Sequence, residues 1–214
     1  LNQSHFILDG SDIDIIESNG PSNGYFFVAT KSFYSDNGSN YFAIFDNEGN
    51  PVYMRLLEGS AACITEQYNG HLTLIDGSIG KVFFELDSMF QVVDTFLVDG
   101  YQTDGHDFDM DENGHVLLLG AENITVDMSV IVEGGNANAI ITDKLVQEFD
   151  ADNNLLYTWK AWDHYNILDS NTDSPFVDLT ADKVDYIHAN SLCFDSDTSF
   201  LFSARHYDEI TKVD

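Results

Sequence analysis

The sequence has 214 residues, of which 43% are hydrophobic and 13% aromatic, so it is long and apolar enough to build a sizeable folded core. Its 37 acidic residues against 8 basic ones give a formal charge of -29, which repels nucleic acid and anionic lipid and excludes nucleic acid as a partner. No segment reaches the about 18 apolar residues that a membrane helix requires, so the sequence predicts no membrane span.

Short apolar runs separated by Asn, Asp and Gly clusters follow one another along the chain, and helical periodicity is almost absent. This pattern predicts an all-β fold. The segments Ile64 to Leu74, Phe108 to Leu118 and Leu192 to Phe202 align without gaps. Each reads as an apolar strand, a polar turn and a second apolar strand, which is a hairpin.

A second type of hairpin alternates with the first. It follows at Lys81 to Phe96 and at Lys144 to Trp159, precedes the series at Asn40 to Leu56, and begins again at Glu209. Two alternating hairpins make a four-stranded antiparallel sheet, and radial repetition of such sheets is a β-propeller. The sequence therefore predicts a partial propeller of about three and a half blades.

The repeat gives approximate bounds for these blades. We place them at about residues 5–58, 60–99, 104–162 and 186–214, the last one incomplete. Because a propeller closes with typically about four to eight blades, the remaining ones are expected in C-terminal sequence of the same protein or in a second chain. Two insertions, at 127–142 and 163–185, interrupt the third unit, and loops of this length are either functional rims or decoration.

Several features bear on cellular location. Cys63 and Cys193 are too few for a disulfide framework and fall on blades that are not neighbours, so we expect two buried free thiols. The chain begins with a residue other than Met, which suggests that an upstream segment has been removed or left out. Glycosylation triplets begin at Asn2, Asn37 and Asn123. We therefore expect a secreted or periplasmic protein.

Candidate site residues lie just before the inner strands, where side chains stand at the mouth of a propeller channel. In the gapless alignment, residues 104–106 fall on 188–190, so His106 and His188 are expected at the same rim, two residues out of register. Arg205 and His206 follow the second strand of the last hairpin, and antiparallel pairing brings Arg205 towards His188 and Asn190.

Arginine presents a planar fork that matches tetrahedral oxyanions, and histidine donates to a sulfate oxygen or carries a phenolic proton near neutral pH. This set of side chains indicates a site for an anionic ester. The alternative interpretation is structural: a histidine that caps a strand and an arginine paired with aspartate at a blade edge.

Two stretches resemble motifs of the bacterial arylsulfotransferases. The first is DYIHANS at 185–191, followed by SARH at 203–206 and EITKVD at 209–214, which is similar to the core motif of that family. The second is GHDF at 105–108, similar to an earlier motif of the family, and residues 146–159 resemble its outer hairpin. The resemblance covers residues 104–214, whereas the first hundred residues match only as generic blades.

The resemblance implies sulfuryl transfer from a phenolic sulfate ester to a phenol, by a ping-pong mechanism through a sulfohistidine and without a nucleotide donor or other cofactor. It assigns His106, His188 and Arg205 as catalytic residues and Asn190 and His206 as substrate-binding residues. It also implies about six blades in the complete protein, within the usual range for propellers. The nucleophilic histidine of the family lies on a later blade, beyond Asp214, so we expect this chain to be inactive alone.

A non-catalytic extracellular propeller that binds carbohydrate or protein is the alternative function, since propellers host many activities. Other conspicuous residues have structural interpretations. His71 and His115 occupy the same hairpin position in successive blades, which indicates a structural role. Residues 109–114 imitate a calcium loop, but Gly120 stands where a bidentate glutamate is required, so they are predicted to form a hairpin turn. No cysteine and histidine spacing indicates a metal site.

Overall fold

A computed structural model describes residues 19–20, 22–29, 40–57, 61–76, 81–196 and 198–214. Within these ranges the chain forms β-strands and short 3-10 turns without any α-helix, so the predicted all-β class is confirmed. Nothing in the described ranges is a helix long and apolar enough to cross a bilayer. The start of the first predicted blade at residues 5–18 and the triplets at Asn2 and Asn37 lie outside the described residues.

The strands are numbered in chain order. They are β1 (Tyr25–Ala29), β2 (Asn40–Asp46), β3 (Pro51–Leu57), β4 (Ala61–Glu66), β5 (Leu72–Asp76), β6 (Val82–Leu86), β7 (Val92–Phe96), β8 (Gln102–Met110), β9 (Val116–Val126), β10 (Ala139–Phe149), β11 (Leu155–Lys160), β12 (Lys183–Val184), β13 (Ala189–Ser196), β14 (Ser199–Ala204) and β15 (Glu209–Val213). The 3-10 turns are Met128–Val130, Ala161–Asp163, Ile167–Asp169 and Arg205–Tyr207.

These strands form four sheets in which sequential strands pair antiparallel. The sheets are β1-β2-β3, β4-β5-β6-β7, β8-β9-β10-β11 and β13-β14-β15, and the short β12 pairs parallel with β10. The first strand of each sheet contacts the first strand of the next, from β1 to β4, β8 and β13. The described sheets do not close a ring, and their assignment as blades stays a prediction.

Aspartate at the first position of four tight turns explains why those hairpins reverse where they do. Oδ1 of Asp46, Asp87, Asp111 and Asp150 accepts the backbone N–H groups of the residues two and four positions later, at 2.8–3.0 Å. In the third turn Gly114 adopts φ 81°, a left-handed conformation that glycine takes without strain. The hairpin-turn interpretation of residues 109–114 is therefore confirmed.

Apolar side chains fill the space between successive sheets. The first and second sheets share Phe42, Ile44, Leu57, Leu72, Leu74 and Leu86. The second and third share Ile75, Phe83, Phe96, Phe108, Val116 and Leu118. The third and fourth share Leu117, Leu119, Val146, Trp159, Leu192 and Phe202. Each fully buried large side chain of this kind contributes about 1.5–3 kcal/mol to folding, so the contact between neighbouring sheets is the main source of stability.

Strand β9 shows how one sheet serves two cores. Val116 and Leu118 face the second sheet, whereas Leu117 and Leu119 face the fourth, and all four are at most 1% exposed. Because successive side chains of a strand point to opposite faces, a strand covered on both sides favours a continuous apolar run wherever no polar partner is available. The continuous run Val116 to Leu119 follows that pattern.

Hydrogen bonds also link the first strands of neighbouring sheets. Oδ2 of Asp107 accepts the N–H of Leu192 at 2.9 Å, and Oδ2 of Asp109 accepts the N–H of Phe194 at 2.8 Å. These bonds satisfy donors at the edge of β13 that its own sheet leaves open. Burial raises the pKa of both carboxyl groups above the ordinary value of aspartate, although the hydrogen bonds that they accept from the backbone lower it in part.

Both predicted insertions are built into the fold. Strands β9 and β10 pair along their whole length, from Val126 opposite Ala139 to Val116 opposite Phe149. The last part of the insertion 127–142 therefore lengthens this hairpin. The segment 163–185 places Ile167, Val177 and Leu179 in the core between the third and fourth sheets. This insertion therefore forms part of the core, and its last residues lie beside the fourth sheet.

The cysteines depart from the expected burial. Both are free, but Cys193 is exposed and Cys63 is only partly buried. Leu192 points into the core, so strand alternation turns its neighbour Cys193 to the opposite face. Cys63 adopts φ 48° and its thiol lies 3.3 Å from the carbonyl oxygen of Gly105. The expectation of two buried thiols was wrong because it rested on residue type and not on strand face.

Candidate functional site

The candidate residues lie where the first strands interrupt their pairing. In β8 the register shifts between Thr103 and Phe108, a stretch that contains His106. In β13 it shifts between Ala189 and Ser191, which leaves Asn190 as the bulged residue. Strand β4 carries a comparable bulge. Bulges leave residues unpaired and re-aim their side chains, so the fold presents the same irregular position in successive sheets.

His106 is anchored by a buried ion pair. Its Nδ1 bonds Oδ1 of Asp104, which also accepts the His106 backbone N–H at 3.0 Å. The other oxygen, Oδ2, pairs with Nζ of Lys144 on β10. The side chains of Asp104 and Lys144 are only 5% and 7% exposed, while the His106 ring is 45% exposed. The buried pair thus holds one edge of the ring and leaves its remainder open.

The charge of Asp104 fixes the state of that ring. Burial alone would raise the pKa of Asp104, but the hydrogen bond to His106 and the positive charge of Lys144 outweigh it and hold the pKa well below the usual range. A carboxylate only accepts hydrogen bonds. In the neutral ring Nδ1 of His106 therefore carries the proton, and Nε2 keeps its lone pair.

His188 has the same kind of anchor. Its Nδ1 lies 2.6 Å from Oδ2 of Asp185, and Oδ1 of that carboxylate accepts the His188 backbone N–H at 3.0 Å. The residue adopts φ 44°, a left-handed conformation that costs a side-chain-bearing residue about 1–2 kcal/mol. The bonds to Asp185 help to offset that cost.

His206 is the buried member of the group, at 4% exposed. Its Nδ1 donates to the backbone carbonyl of Asp185 at 2.8 Å. Nε2 has no hydrogen-bond partner among the described residues. The backbone N–H of His206 donates to the carbonyl of Ile187 at 3.1 Å, which ties the Arg205–Tyr207 turn to the loop before β13.

Three imidazoles thus form a row. The ring centroids of His106 and His188 are 5.4 Å apart with the planes at 71°, and those of His188 and His206 are 5.1 Å apart at 37°. The structure brings together the two histidines that the repeat alignment placed at one rim. Their catalytic roles stay predictions.

Arg205 and Asn190 complete the sequence-predicted set, and both side chains are exposed. The backbone N–H of Arg205 donates to the carbonyl of His188 at 3.4 Å, and its guanidinium carbon lies 5.0 Å from the ring centroid of Phe176. In the described part of the chain no carboxylate forms an ion pair with Arg205. That leaves its charge available to an anion and disfavours the structural interpretation of a blade-edge ion pair.

The histidines set aside as structural behave accordingly. Nδ1 of His71 lies 2.6 Å from Oε1 of Glu85, and Nδ1 of His115 lies 3.0 Å from Oε1 of Glu148. In both pairs the glutamate is on the next strand of the same sheet. The two pairs occupy equivalent places in successive sheets. Within the described residues there is also no cluster of three or more histidine, cysteine, aspartate or glutamate side chains arranged to hold a metal.

Sequence reasoning missed the residues that hold the histidines. Asp104 and Asp185 precede their histidines by two and three positions, a spacing from which an aspartate reaches both the backbone N–H and the ring, so a local signal exists. Lys144 gives no such signal, because it reaches Asp104 across the intervening strand β9. Phe176 lies in an insertion whose path the sequence does not reveal.

Comparison with known proteins bears on this site. The family model described as Arylsulfotransferase (ASST) matches residues 15–214. No curated protein sequence matches the chain significantly. Because the family match spans nearly the whole chain and includes every candidate residue, this chain belongs to the arylsulfotransferase family.

Proposed function

We propose that this arylsulfotransferase-family chain takes part in transfer of a sulfuryl group from a phenolic sulfate ester to a phenol, without a nucleotide donor. The observation that carries the proposal is the pair of imidazoles of His106 and His188, 5.4 Å apart, each with Nδ1 held by an aspartate. The uncompensated guanidinium of Arg205 supplies the positive charge that an anionic ester requires.

The reaction has two balanced halves. In the first, the S–O bond to the donor phenol breaks while an S–N bond forms to a nucleophilic histidine, and the departing phenolate takes a proton from an imidazolium of the site. In the second, the acceptor phenol returns a proton to that imidazole, and its oxygen attacks sulfur as the S–N bond breaks. The resemblance places the nucleophile in sequence after Asp214, so assays require the full-length protein.

His106 and His188 suit the proton-transfer role. Each keeps Nε2 open while an aspartate accepts from Nδ1, the arrangement that stabilises an imidazolium when Nε2 gains a proton. Arg205 is assigned to the oxygens of the transferring sulfuryl group, where charge is stabilised in the transition state. We assign Asn190 and His206 to substrate binding, Asn190 through its exposed amide in the bulge of β13.

We further propose that the four sheets are successive blades of a β-propeller, with about six in the complete protein, and that it works outside the cytoplasm. The succession of contacts between first strands and the apolar cores between sheets support the propeller. A ring-shaped density in electron microscopy of the full-length protein is expected, and an open stack of sheets would contradict it.

The activity is tested with the full-length protein, a nitrophenyl sulfate donor and a phenol acceptor, with no nucleotide present. We expect nitrophenol release whose continued turnover, beyond the first equivalent per enzyme, depends on the acceptor. His106→Ala and His188→Ala are expected to lower the rate about 10²–10⁴-fold, the usual contribution of a general acid–base. His115→Ala, a structural histidine of the same sheet as His106, is the matched control and should leave the rate unchanged. Equal rates in all three variants would refute the proposal, and phenol binding without transfer would favour the binding module.

A further inference from the structure

Asp185 contacts two of the three clustered histidines at once. Its side chain accepts from the backbone N–H of His188 at 3.0 Å and bonds the His188 ring nitrogen at 2.6 Å. Its backbone carbonyl accepts from Nδ1 of His206 at 2.8 Å. No other described residue is hydrogen-bonded to both rings.

Both contacts determine which ring nitrogen carries the proton. A carboxylate and a backbone carbonyl accept hydrogen bonds and cannot donate them. In the neutral imidazoles, Nδ1 of His188 and Nδ1 of His206 must therefore be the protonated nitrogens, and each Nε2 keeps a lone pair. Nε2 of His206 is buried and has no hydrogen-bond partner among the described residues, so no described donor competes with the Nδ1–H tautomer of that ring.

The same aspartate also fixes the backbone from which the ring of His188 projects. His188 has φ 44°, and the side-chain bond from Asp185 to its N–H closes the short loop 185–188. The Arg205–Tyr207 turn is bonded to this loop through the carbonyls of Ile187 and His188. A change in the loop would thus displace His188, His206 and Arg205 together.

We propose that Asp185 is a positioning residue that holds His188 and His206 in the Nδ1–H tautomer, so that the partly exposed ring of His188 presents its Nε2 lone pair to the transfer site above the buried ring of His206. The inference rests on the proposed function, to which it adds a residue that acts through the histidines without touching the substrate.

Asp185→Asn gives a specific test. The side chain keeps its shape, and its oxygen can still accept from the backbone N–H of His188. Its NH₂ group then faces Nδ1 of His188 and donates to it, so the ring proton moves to Nε2. The His206 contact uses the backbone carbonyl and is unchanged. We therefore expect tautomer reversal at His188 alone.

Two measurements on the full-length protein follow. Nitrogen-15 NMR of labelled histidine, at about pH 8.5 where histidine is ordinarily neutral, should show Nδ1–H at His188 and His206 in the wild type and Nε2–H at His188 in Asp185→Asn. In the aryl sulfate assay the variant should lose about 10²–10⁴-fold in kcat, with KM changed less than about threefold, since the geometry of the site is retained. Asp178→Asn is the matched control, because Asp178 lies in the same insertion and accepts from Thr180 instead of a histidine. It should keep both kcat and the tautomers.

The outcomes are distinguishable. An Nε2–H tautomer at His188 or His206 in the wild type would overturn the inference, and this measurement does not depend on the variant's folding. An active wild type with an equally active Asp185→Asn variant would also overturn it. A wild type without any aryl sulfate transfer would instead refute the proposed function, and the NMR result would still decide the tautomers.

Discussion

Removal of the Lys144 charge is expected to destabilise the fold through one buried electrostatic contact beside the candidate site. Lys144 and Asp104 form an ion pair whose side chains are 7% and 5% exposed, so water cannot replace the lysine. Lys144→Met keeps the length and apolar character of the side chain but leaves the Asp104 carboxylate buried with only its bonds to His106. The variant therefore isolates the electrostatic part of the interaction.

Breaking a buried ion pair by removing one partner costs about 3–5 kcal/mol. We expect a value near the lower end, about 3 kcal/mol, because His106 still bonds the carboxylate. The cost depends on pH. The lowered pKa of Asp104 contributes stability that is present above its unfolded pKa of about 4 and is lost as pH falls towards the folded pKa. In Lys144→Met the lysine charge no longer opposes the effect of burial, so the pKa of Asp104 rises. The difference in free energy of unfolding between wild type and variant is therefore large at pH 7 and shrinks below about pH 4.

Urea denaturation of the full-length protein at both pH values measures this difference. Lys160→Met is the matched control, because Lys160 pairs with Glu122 at 2.6 Å but the two side chains are 31% and 24% exposed. Partly exposed pairs of this kind contribute up to about 1 kcal/mol. Equal effects of the two lysine variants would contradict a cost that depends on burial of the ion pair. So would an Asp104→Asn/Lys144→Met double variant no more stable than Lys144→Met, since no unpaired charge then remains.

Three further predictions follow. Burial raises the pKa of Asp143 to about 6, so between about pH 4 and 6 the folded state keeps a proton that the unfolded state releases. As the pH rises across that range, the free energy of unfolding of the wild type should fall by about 2–3 kcal/mol relative to Asp143→Asn. Paired denaturation curves measure this difference. Burial, with two nearby aspartates, raises the pKa of the Cys63 thiol to about 11, so iodoacetamide at pH 8 should label the exposed Cys193 first by mass spectrometry. Arg205→Lys keeps the charge but loses the fork, so aryl sulfate turnover should fall strongly while the denaturation midpoint stays unchanged.

Features with local causes could be predicted from the sequence. Four hairpins reverse where an aspartate accepts the N–H groups of its own turn, and that interaction lies within five residues of chain. The alignment of hairpins likewise placed His106 and His188 at one rim, although two residues out of register, because a repeated unit puts the start of each first strand at an equivalent place. The all-β class and the approximate site therefore followed from short-range patterns.

Features set by packing between distant segments could not be predicted. The partners Lys144 and Asp104 are separated by a whole strand, and nothing in the local sequence of either identifies the other. Phe176 meets Arg205 only because an insertion folds back onto the fourth sheet. Cys193 is exposed because of the register of β13, which a one-residue shift would reverse.

On the proposed function, the clustered histidines serve a transfer that passes through a covalent sulfuryl intermediate. The most direct measurement mixes the full-length protein with nitrophenyl sulfate in the absence of any acceptor and follows nitrophenol on the stopped-flow timescale. We expect a burst of nitrophenol equal to the enzyme concentration, and a strongly slowed burst in His188→Ala. Nitrophenol release that begins only when a phenol acceptor is added would contradict it, because transfer would then be direct between the two phenols.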